Sequence, residues 1–125
     1  MVELTHRKHS IGQSAYHLVW RPKYNLKIFR DRFPRRVCEE ALKTVVEKWR
    51  IRIYEMEVMV DHIHLFVEIP PTMTVSFALQ LLKGGSARII LKRCYVWGHI
   101  LSQGHKKRHL WSPGKFFRSV GSVTA

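Results

Sequence analysis

The stretch EVMVDHIHLFVEIPP, residues 57–71, alternates between apolar and polar side chains over most of its length. Apolar residues hold the odd positions from Ile63 to Ile69, and His62 and His64 stand at even positions. Successive side chains of a β-strand point to opposite faces of its sheet. The stretch therefore predicts a strand that is buried on one face and presents two imidazoles on the other.

The elements predicted around this strand indicate an α+β fold. A first strand is predicted over residues 14–20, a first helix from near Pro34, and a second strand over residues 51–60. The alternation of the second strand breaks near residues 53–54 and 58–61, which indicates a β-bulge or a tight hairpin. A second helix follows Thr74, and a fourth strand lies within residues 110–121. The order β-α-β-β-α-β predicts a ferredoxin-like (split βαβ) arrangement, with a mostly antiparallel sheet and both helices on one face.

The second predicted helix contains an unusual pair of glycines. Thr74 is the expected N-cap, because its hydroxyl can accept a hydrogen bond from the first turn. Glycine loses more conformational freedom in a helix than other residues do. The pair Gly84-Gly85 is therefore expected to loosen this helix and to allow it to break in two.

Charge and composition narrow the class of protein. The 125 residues are predicted to form one domain, and 22 Lys+Arg against nine Asp+Glu give a net charge of +13. No apolar run approaches the roughly 18 residues that span a bilayer, so we expect a soluble, cytoplasmic protein that does not bind membranes. Cys38 and Cys94 fall in helical patterns and are expected to be buried thiols. Such a basic chain indicates an anionic partner, with nucleic acid the leading candidate.

Several residues are candidates for contacts to nucleic acid. Basic side chains cluster before and within the first helix, in the loop near residue 107 and around the last strand, and such residues bind phosphates. The candidates are Arg30, Arg35, Arg36, Lys106, Lys107, Arg108, Lys115 and Arg118. Among the large aromatic residues, Trp97 is the one we expect to stack on an unpaired base, since it stands beside a glycine in a loop-like stretch.

The two histidines of the third strand are candidate metal ligands. Neutral imidazole often binds divalent metals, and two imidazoles on one strand face have a nearly fixed geometry. The nearby carboxylates that are available to complete the site are Glu55, Glu57, Asp61 and Glu68, with Glu57 and Asp61 the preferred ones. His17 can support the site if the first strand neighbours the third. A mixed site of this kind suits Mg²⁺ or Mn²⁺, which polarise phosphate oxygens.

Four stretches of the chain resemble those of a known family in the same order. They are YHLVWRPKYN (16–25), DHIHLFVEIPP (61–71), SFALQLLKGGSARII (76–90) and LWSPGKFFRSVGSVT (110–124). Together they resemble the single-tyrosine HUH transposases of bacterial and archaeal insertion sequences, the TnpA type, including those associated with REP sequences. The resemblance implies that His62 and His64 are the histidine pair and that Asp61 is the acidic residue before it.

The resemblance also implies an activity. It implies a homodimer that binds single-stranded DNA hairpins at the element's ends and cleaves the strand through a 5′-phosphotyrosine intermediate, with a divalent metal bound by the histidines. The family's nucleophilic tyrosine lies on a helix after the last strand, so here it is expected beyond Ala125. Three alternatives stay open: a non-catalytic nucleic-acid-binding module, a replication initiator or relaxase of the same superfamily, and an inactive transposase remnant.

Overall fold

The computed structural model describes residues 14–94, 96–97, 109–114 and 116–119. It contains four strands and two long helices in the predicted order. These are β1 (Ala15–Trp20), α1 (Arg32–Trp49), β2 (Arg52–Val58), β3 (Ile63–Glu68), α2 (Val75–Arg93) and β4 (Phe116–Ser119). The α+β architecture expected from the sequence is therefore confirmed.

All neighbouring strands of the sheet are antiparallel, and the strand order is β2-β3-β1-β4. β2 and β3 form the predicted hairpin, whose turn lies between Val58 and Ile63 and is closed by a 2.8 Å hydrogen bond from the Met59 amide to the His62 carbonyl. β1 lies beside β3, and β4 occupies the edge beyond β1. The sheet thus brings the start and the end of the described chain together.

A β-bulge in β2 decides which of its side chains face the helices. The pairing with β3 shifts between Ile53 and Glu55, which leaves Tyr54 as the extra residue. An extra residue reverses the alternation of the side chains that follow it. Beyond the bulge, Glu57 lies opposite His64, so an acidic residue joins the histidine on the same face of the sheet. The irregularity predicted here is confirmed.

The core lies between the sheet and the helix layer. Side chains from both long helices and from one face of the sheet share a single buried cluster. Its fully buried members include Leu18, Ile63, Leu65, Val67, Val37, Leu42, Leu79, Leu82 and Ile90. None of the helices within the described ranges is long and apolar enough to cross a membrane.

α2 departs from the prediction in one respect. Its N-cap is Thr74 as expected, with the Phe77 amide donating to the threonine hydroxyl at 3.1 Å. The expected break at the glycine pair is wrong, because the helix runs without interruption past both residues. A Cβ atom built at Gly85 would stand 2.6 Å from Val45 Cγ2 of α1. Gly85 therefore permits the two helices to pack closely, and this packing outweighs its low helix propensity.

Both cysteines are buried free thiols, as predicted. Cys38 lies on the inner face of α1, and Cys94 is the C-cap residue of α2. Burial raises the pKa of both thiols above the ordinary value. Neither thiol is therefore ionised at neutral pH, and both act as small apolar groups of the core.

Candidate functional site

The face of the sheet opposite the helices, called the open face from here on, carries the polar side chains. On β3, His64 and Phe66 are partly exposed, whereas their neighbours Ile63 and Leu65 are fully buried. His17 of β1 lies opposite Phe66 in the strand register. The predicted role of His17 depends on β1 being a neighbour of β3, and the two strands are neighbours in the sheet.

His64 lies between two polar partners from the neighbouring strands. Its Nε2 atom is 3.2 Å from His17 Nδ1, and its Nδ1 atom is 3.6 Å from Glu57 Oε1. Glu57 is the more exposed of the pair, with 64% of its side chain accessible against 27% for His64. The three side chains come from three strands and form a polar line across the open face.

His17 and His64 also belong to a row of four rings on the open face. Tyr54 packs on Phe66 with ring centroids 5.3 Å apart, Phe66 on His17 at 4.8 Å, and His17 on His64 at 5.2 Å. The last two pairs are nearly parallel, with interplanar angles of 16°. The Tyr54 hydroxyl donates a hydrogen bond to Glu68, and burial raises the pKa of that hydroxyl. The row restricts the movement of the His64 ring.

His62 lies in the turn, one residue before β3 begins, and contacts a different carboxylate. Its Nδ1 atom is 3.1 Å from Asp61 Oδ1, and both side chains are partly exposed. The hydrogen bond with His62 lowers the pKa of the Asp61 carboxyl, which therefore stays ionised at neutral pH. The strand pattern predicted His62 and His64 side by side, but a turn carries the first and a strand the second.

The two histidines share one feature of their contacts. In each ring the Nδ1 atom faces a carboxylate, Asp61 for His62 and Glu57 for His64. Histidines that bind metals commonly use one nitrogen for the metal and donate the other N–H to a carboxylate. Within the part of the chain that the structure describes, no group of three or more His, Cys, Asp or Glu side chains could hold a metal ion. The donor types suit a divalent metal, but the described side chains do not form a complete cage.

The basic residues predicted to bind nucleic acid fall into four groups. Arg118 of β4 is exposed and lies opposite His17 in the sheet register, beside the polar line. Arg35 donates hydrogen bonds of 3.1–3.3 Å to the carbonyls of Phe29 and Arg30, so its guanidinium braces the turn before α1. Arg30 and Arg36 are exposed. The remaining candidates, Lys106, Lys107, Arg108 and Lys115, lie outside the described residues.

The sequence pattern predicts the exposure of one aromatic residue wrongly and does not identify two aromatic residues of the open face. Trp97 was expected in an open loop, but it is only partly exposed and packs against the hydrophobic core. Tyr54 and Phe66, which complete the ring row, were not singled out. The bulge that turns Tyr54 toward this row was predicted, and it was the available signal for that residue.

Comparison with known proteins assigns the chain to a family. The model of the family described as "Transposase IS200 like" matches residues 10–125. A transposase for insertion sequence element IS200 from Salmonella typhimurium is 33% identical over 117 residues, which cover 94% of this chain and 74% of the relative.

Two solved structures share the fold. One, described as a transposase from Deinococcus radiodurans R1, superposes with a TM-score of 0.70 at 24% identity, over 83% of this chain and 76% of the other. The second is a REP-associated tyrosine transposase bound to a REP hairpin, with a TM-score of 0.60 at 10% identity, over 85% and 55% of the two chains. These likenesses are evidence for the fold alone, whereas the family match covers nearly the whole sequence. The chain belongs to the family of IS200-like transposases.

Proposed function

We propose that this transposase cleaves and rejoins single-stranded DNA at the ends of an insertion sequence, in a reaction that needs a divalent metal. The observation that carries the proposal is the pair of carboxylate–histidine contacts at one end of the β2–β3 hairpin. Glu57 faces Nδ1 of His64, and Asp61 faces Nδ1 of His62. Two imidazoles whose Nδ1 atoms face carboxylates are suited to bind an ion through Nε2, which at His64 requires His17 to give up its 3.2 Å contact with that atom.

His62 and His64 would hold Mg²⁺ or Mn²⁺, and Glu57 and Asp61 would orient the two imidazoles. When bound, the metal polarises a non-bridging oxygen of the scissile phosphate and offsets the charge that develops there. The substrate's phosphate oxygens and water would fill the positions on the ion that these side chains leave open. His17, 3.2 Å from His64 Nε2, would brace the His64 ring before the ion binds and supply a further nitrogen to the ion afterwards.

The nucleophile in this proposal is a tyrosine hydroxyl, as the membership of the family implies. The hydroxyl loses its proton as its oxygen forms a bond to the scissile phosphorus. The bond from phosphorus to the 3′ oxygen breaks, and that oxygen takes up a proton, so the reaction involves no net gain or loss of protons. The phosphotyrosine bond conserves the energy of the phosphodiester, so the reverse reaction can join the strand to a new 3′-OH. Arg118 would bind a backbone phosphate of the strand that crosses the open face, close to His17.

We also propose that the substrate is a DNA hairpin with unpaired flanks, bound by a homodimer. The net charge of +13 favours binding to a polyanion, and Arg30, Arg36 and Arg118 are exposed. A relative of the same fold is known bound to a REP hairpin.

The experiment compares His64→Ala with the wild-type protein on a labelled single-stranded oligonucleotide that carries an element end. With Mg²⁺ or Mn²⁺, the wild-type protein is expected to form a covalent protein–DNA adduct, and mass spectrometry of the linked peptide identifies the tyrosine. His64→Ala is expected to lose about 100-fold or more of this activity while retaining hairpin binding in a gel-shift assay. The matched control is His109→Ala, which removes an exposed imidazole outside the site.

Undiminished cleavage by His64→Ala would contradict the role of the metal site. Hairpin binding without any adduct in the wild-type protein would instead indicate a binding module or an inactive remnant. Loss of both binding and cleavage in His64→Ala would point to a folding defect, which circular dichroism detects.

A further inference from the structure

We infer that Lys83 is a positioning residue, which fixes the chain as it enters β4 and thereby holds Arg118 beside His17. The inference rests on the proposed function, in which Arg118 binds a DNA phosphate. Lys83 belongs to α2 on the helix side of the sheet, whereas Arg118 belongs to β4 and His17 to β1. The segment that Lys83 holds comprises residues 109–114 and is called the β4-entry segment below.

The Lys83 ammonium group donates two hydrogen bonds to this segment. Its Nζ atom is 2.7 Å from the Ser112 carbonyl and 2.9 Å from the Gly114 carbonyl. The two carbonyls flank Pro113, so the contacts grip both sides of the proline. Hydrogen bonds from a charged donor are roughly twice as strong as bonds between neutral groups. One side chain of α2 therefore restrains the backbone just before β4 begins.

The indole of Trp111 adds a second attachment to the same turn of α2. Its Nε1 atom lies 3.0 Å from the Lys83 carbonyl and 3.1 Å from Ser86 Oγ, and Ser86 is fully buried. The ring meets Trp20 edge to face and packs against Phe29, with centroids 5.8 Å apart in both pairs. Trp111 thus anchors the β4-entry segment in the core.

The backbone of the segment is tied to the exit of β1 as well. The Lys23 amide donates to the Leu110 carbonyl at 2.7 Å, and the Ser112 amide donates to the Arg21 carbonyl at 2.8 Å. The β4-entry segment is therefore held from α2 on one side and from β1 on the other. The chain enters β4 from a fixed point rather than from a free loop.

A fixed entry matters because β4 by itself specifies its register weakly. The strand is four residues long and lies at the edge of the sheet, paired with β1 alone among the described strands. A slip of one residue would turn every β4 side chain to the opposite face. Arg118 would then leave the open face and its place opposite His17. The lysine on the helix side thus controls the position of a charged group on the open face.

The experiment measures how single-stranded DNA affinity depends on salt in Lys83→Met, Arg118→Gln and the double variant. Each phosphate contact contributes about 0.7 to the slope of log K against log salt for single strands. Arg118→Gln is expected to lower the slope by about 0.7, Lys83→Met by nearly as much, and the double variant by no more than either. Lys83→Arg, which keeps a cationic donor, is expected to restore much of the slope.

A charge control and a second measurement separate this role from general effects. Lys92→Met removes an exposed lysine of the same helix without touching the β4-entry segment, so its slope is expected to match the wild type. Hydrogen exchange, which needs no DNA, is expected to accelerate at the β4 amides of Lys83→Met while β2 and β3 stay protected. If Lys83→Met does not fold, Trp111→Phe loosens the same segment and carries the same expectations.

Two results would overturn the inference. One is a wild-type slope and wild-type β4 exchange in Lys83→Met. The other is an additive loss in the double variant, which would mean that Lys83 and Arg118 act independently. A wild-type protein that binds no single-stranded DNA would instead contradict the proposed function, and the exchange arm would still report whether Lys83 holds β4.

Discussion

The two faces of β3 differ although they alternate along a single strand. Toward the helices, Ile63, Leu65 and Val67 are each 0% exposed and belong to one packed core. On the open face, His64 and Phe66 remain partly exposed and interact with named atoms or rings of neighbouring strands. The packing of the core face depends on the volume of its apolar side chains. The arrangement of the open face depends on specific contacts between atoms and rings. Along β3, we therefore expect residues of the core face to contribute mainly to stability and residues of the open face mainly to function.

The strongest test of this separation compares adjacent residues on opposite faces. Leu65→Ala is expected to lower the free energy of unfolding by about 2–5 kcal/mol, because it leaves a cavity in a close-packed core. His64→Ala is expected to cost less than about 1 kcal/mol, since the imidazole is partly exposed. Urea denaturation measures both values. Equal losses in the two variants would break the comparison.

The helix layer behind the core face offers a second pair. Gly85→Ala is expected to destabilise the protein by about 1–3 kcal/mol, because the new methyl group would overlap Val45. Its matched control is Gly84→Ala, where no described residue beyond the neighbouring helix backbone has an atom within 4 Å of the new methyl group. There the better helix propensity of alanine is expected to stabilise by roughly 0.5–1 kcal/mol. Thermal or urea unfolding shows whether the two substitutions change the free energy of unfolding in opposite directions.

On the open face, a carboxylate is expected to matter for metal binding and little for stability. Glu57→Gln is expected to weaken Mn²⁺ binding about 10–100-fold, since the amide orients the His64 ring less well than a carboxylate does. Isothermal titration calorimetry measures the affinity. Glu55→Gln is the control on the same strand, because Glu55 lies opposite Phe66 rather than His64. Equal affinities for Mn²⁺ in the Glu57 and Glu55 variants would contradict the role of Glu57.

The smallest effect is expected at the outer surface of the helices. Arg93 donates a 2.7 Å hydrogen bond to Glu40, and this bond lowers the pKa of the Glu40 carboxyl. The pKa of Glu40 is lower in the folded state than in the unfolded state. The stabilisation from this hydrogen bond is therefore present above glutamate's ordinary pKa and is lost as the pH falls through the folded-state pKa. Arg93→Gln should therefore destabilise slightly at pH 7 and not in strong acid, as urea midpoints at each pH would show. Arg88→Gln serves as the control.

The sequence predicted the parts of the fold that depend on local pattern. The order of elements, the β2–β3 hairpin, the bulge after Ile53 and the Thr74 cap all follow from side-chain periodicity or from one residue's chemistry. The prediction failed at Gly85 and at Trp97, where packing against distant residues outweighs local preference. A glycine pair looks the same to a local rule whether it breaks a helix or lets two helices touch.

The sequence by itself determined a basic, two-faced sheet with two histidines near one end of a strand, because alternation and charge are properties of neighbouring residues. Only the tertiary structure decided which partners those histidines meet. His17 and His64 are 47 residues apart in the chain, and Lys83 and Ser112 are 29 residues apart. Contacts at such separations depend on strand order, register and helix packing together. The periodicity of neighbouring residues does not predict such contacts. The polar line and the contacts of Lys83 with the β4-entry segment therefore follow only from the tertiary structure.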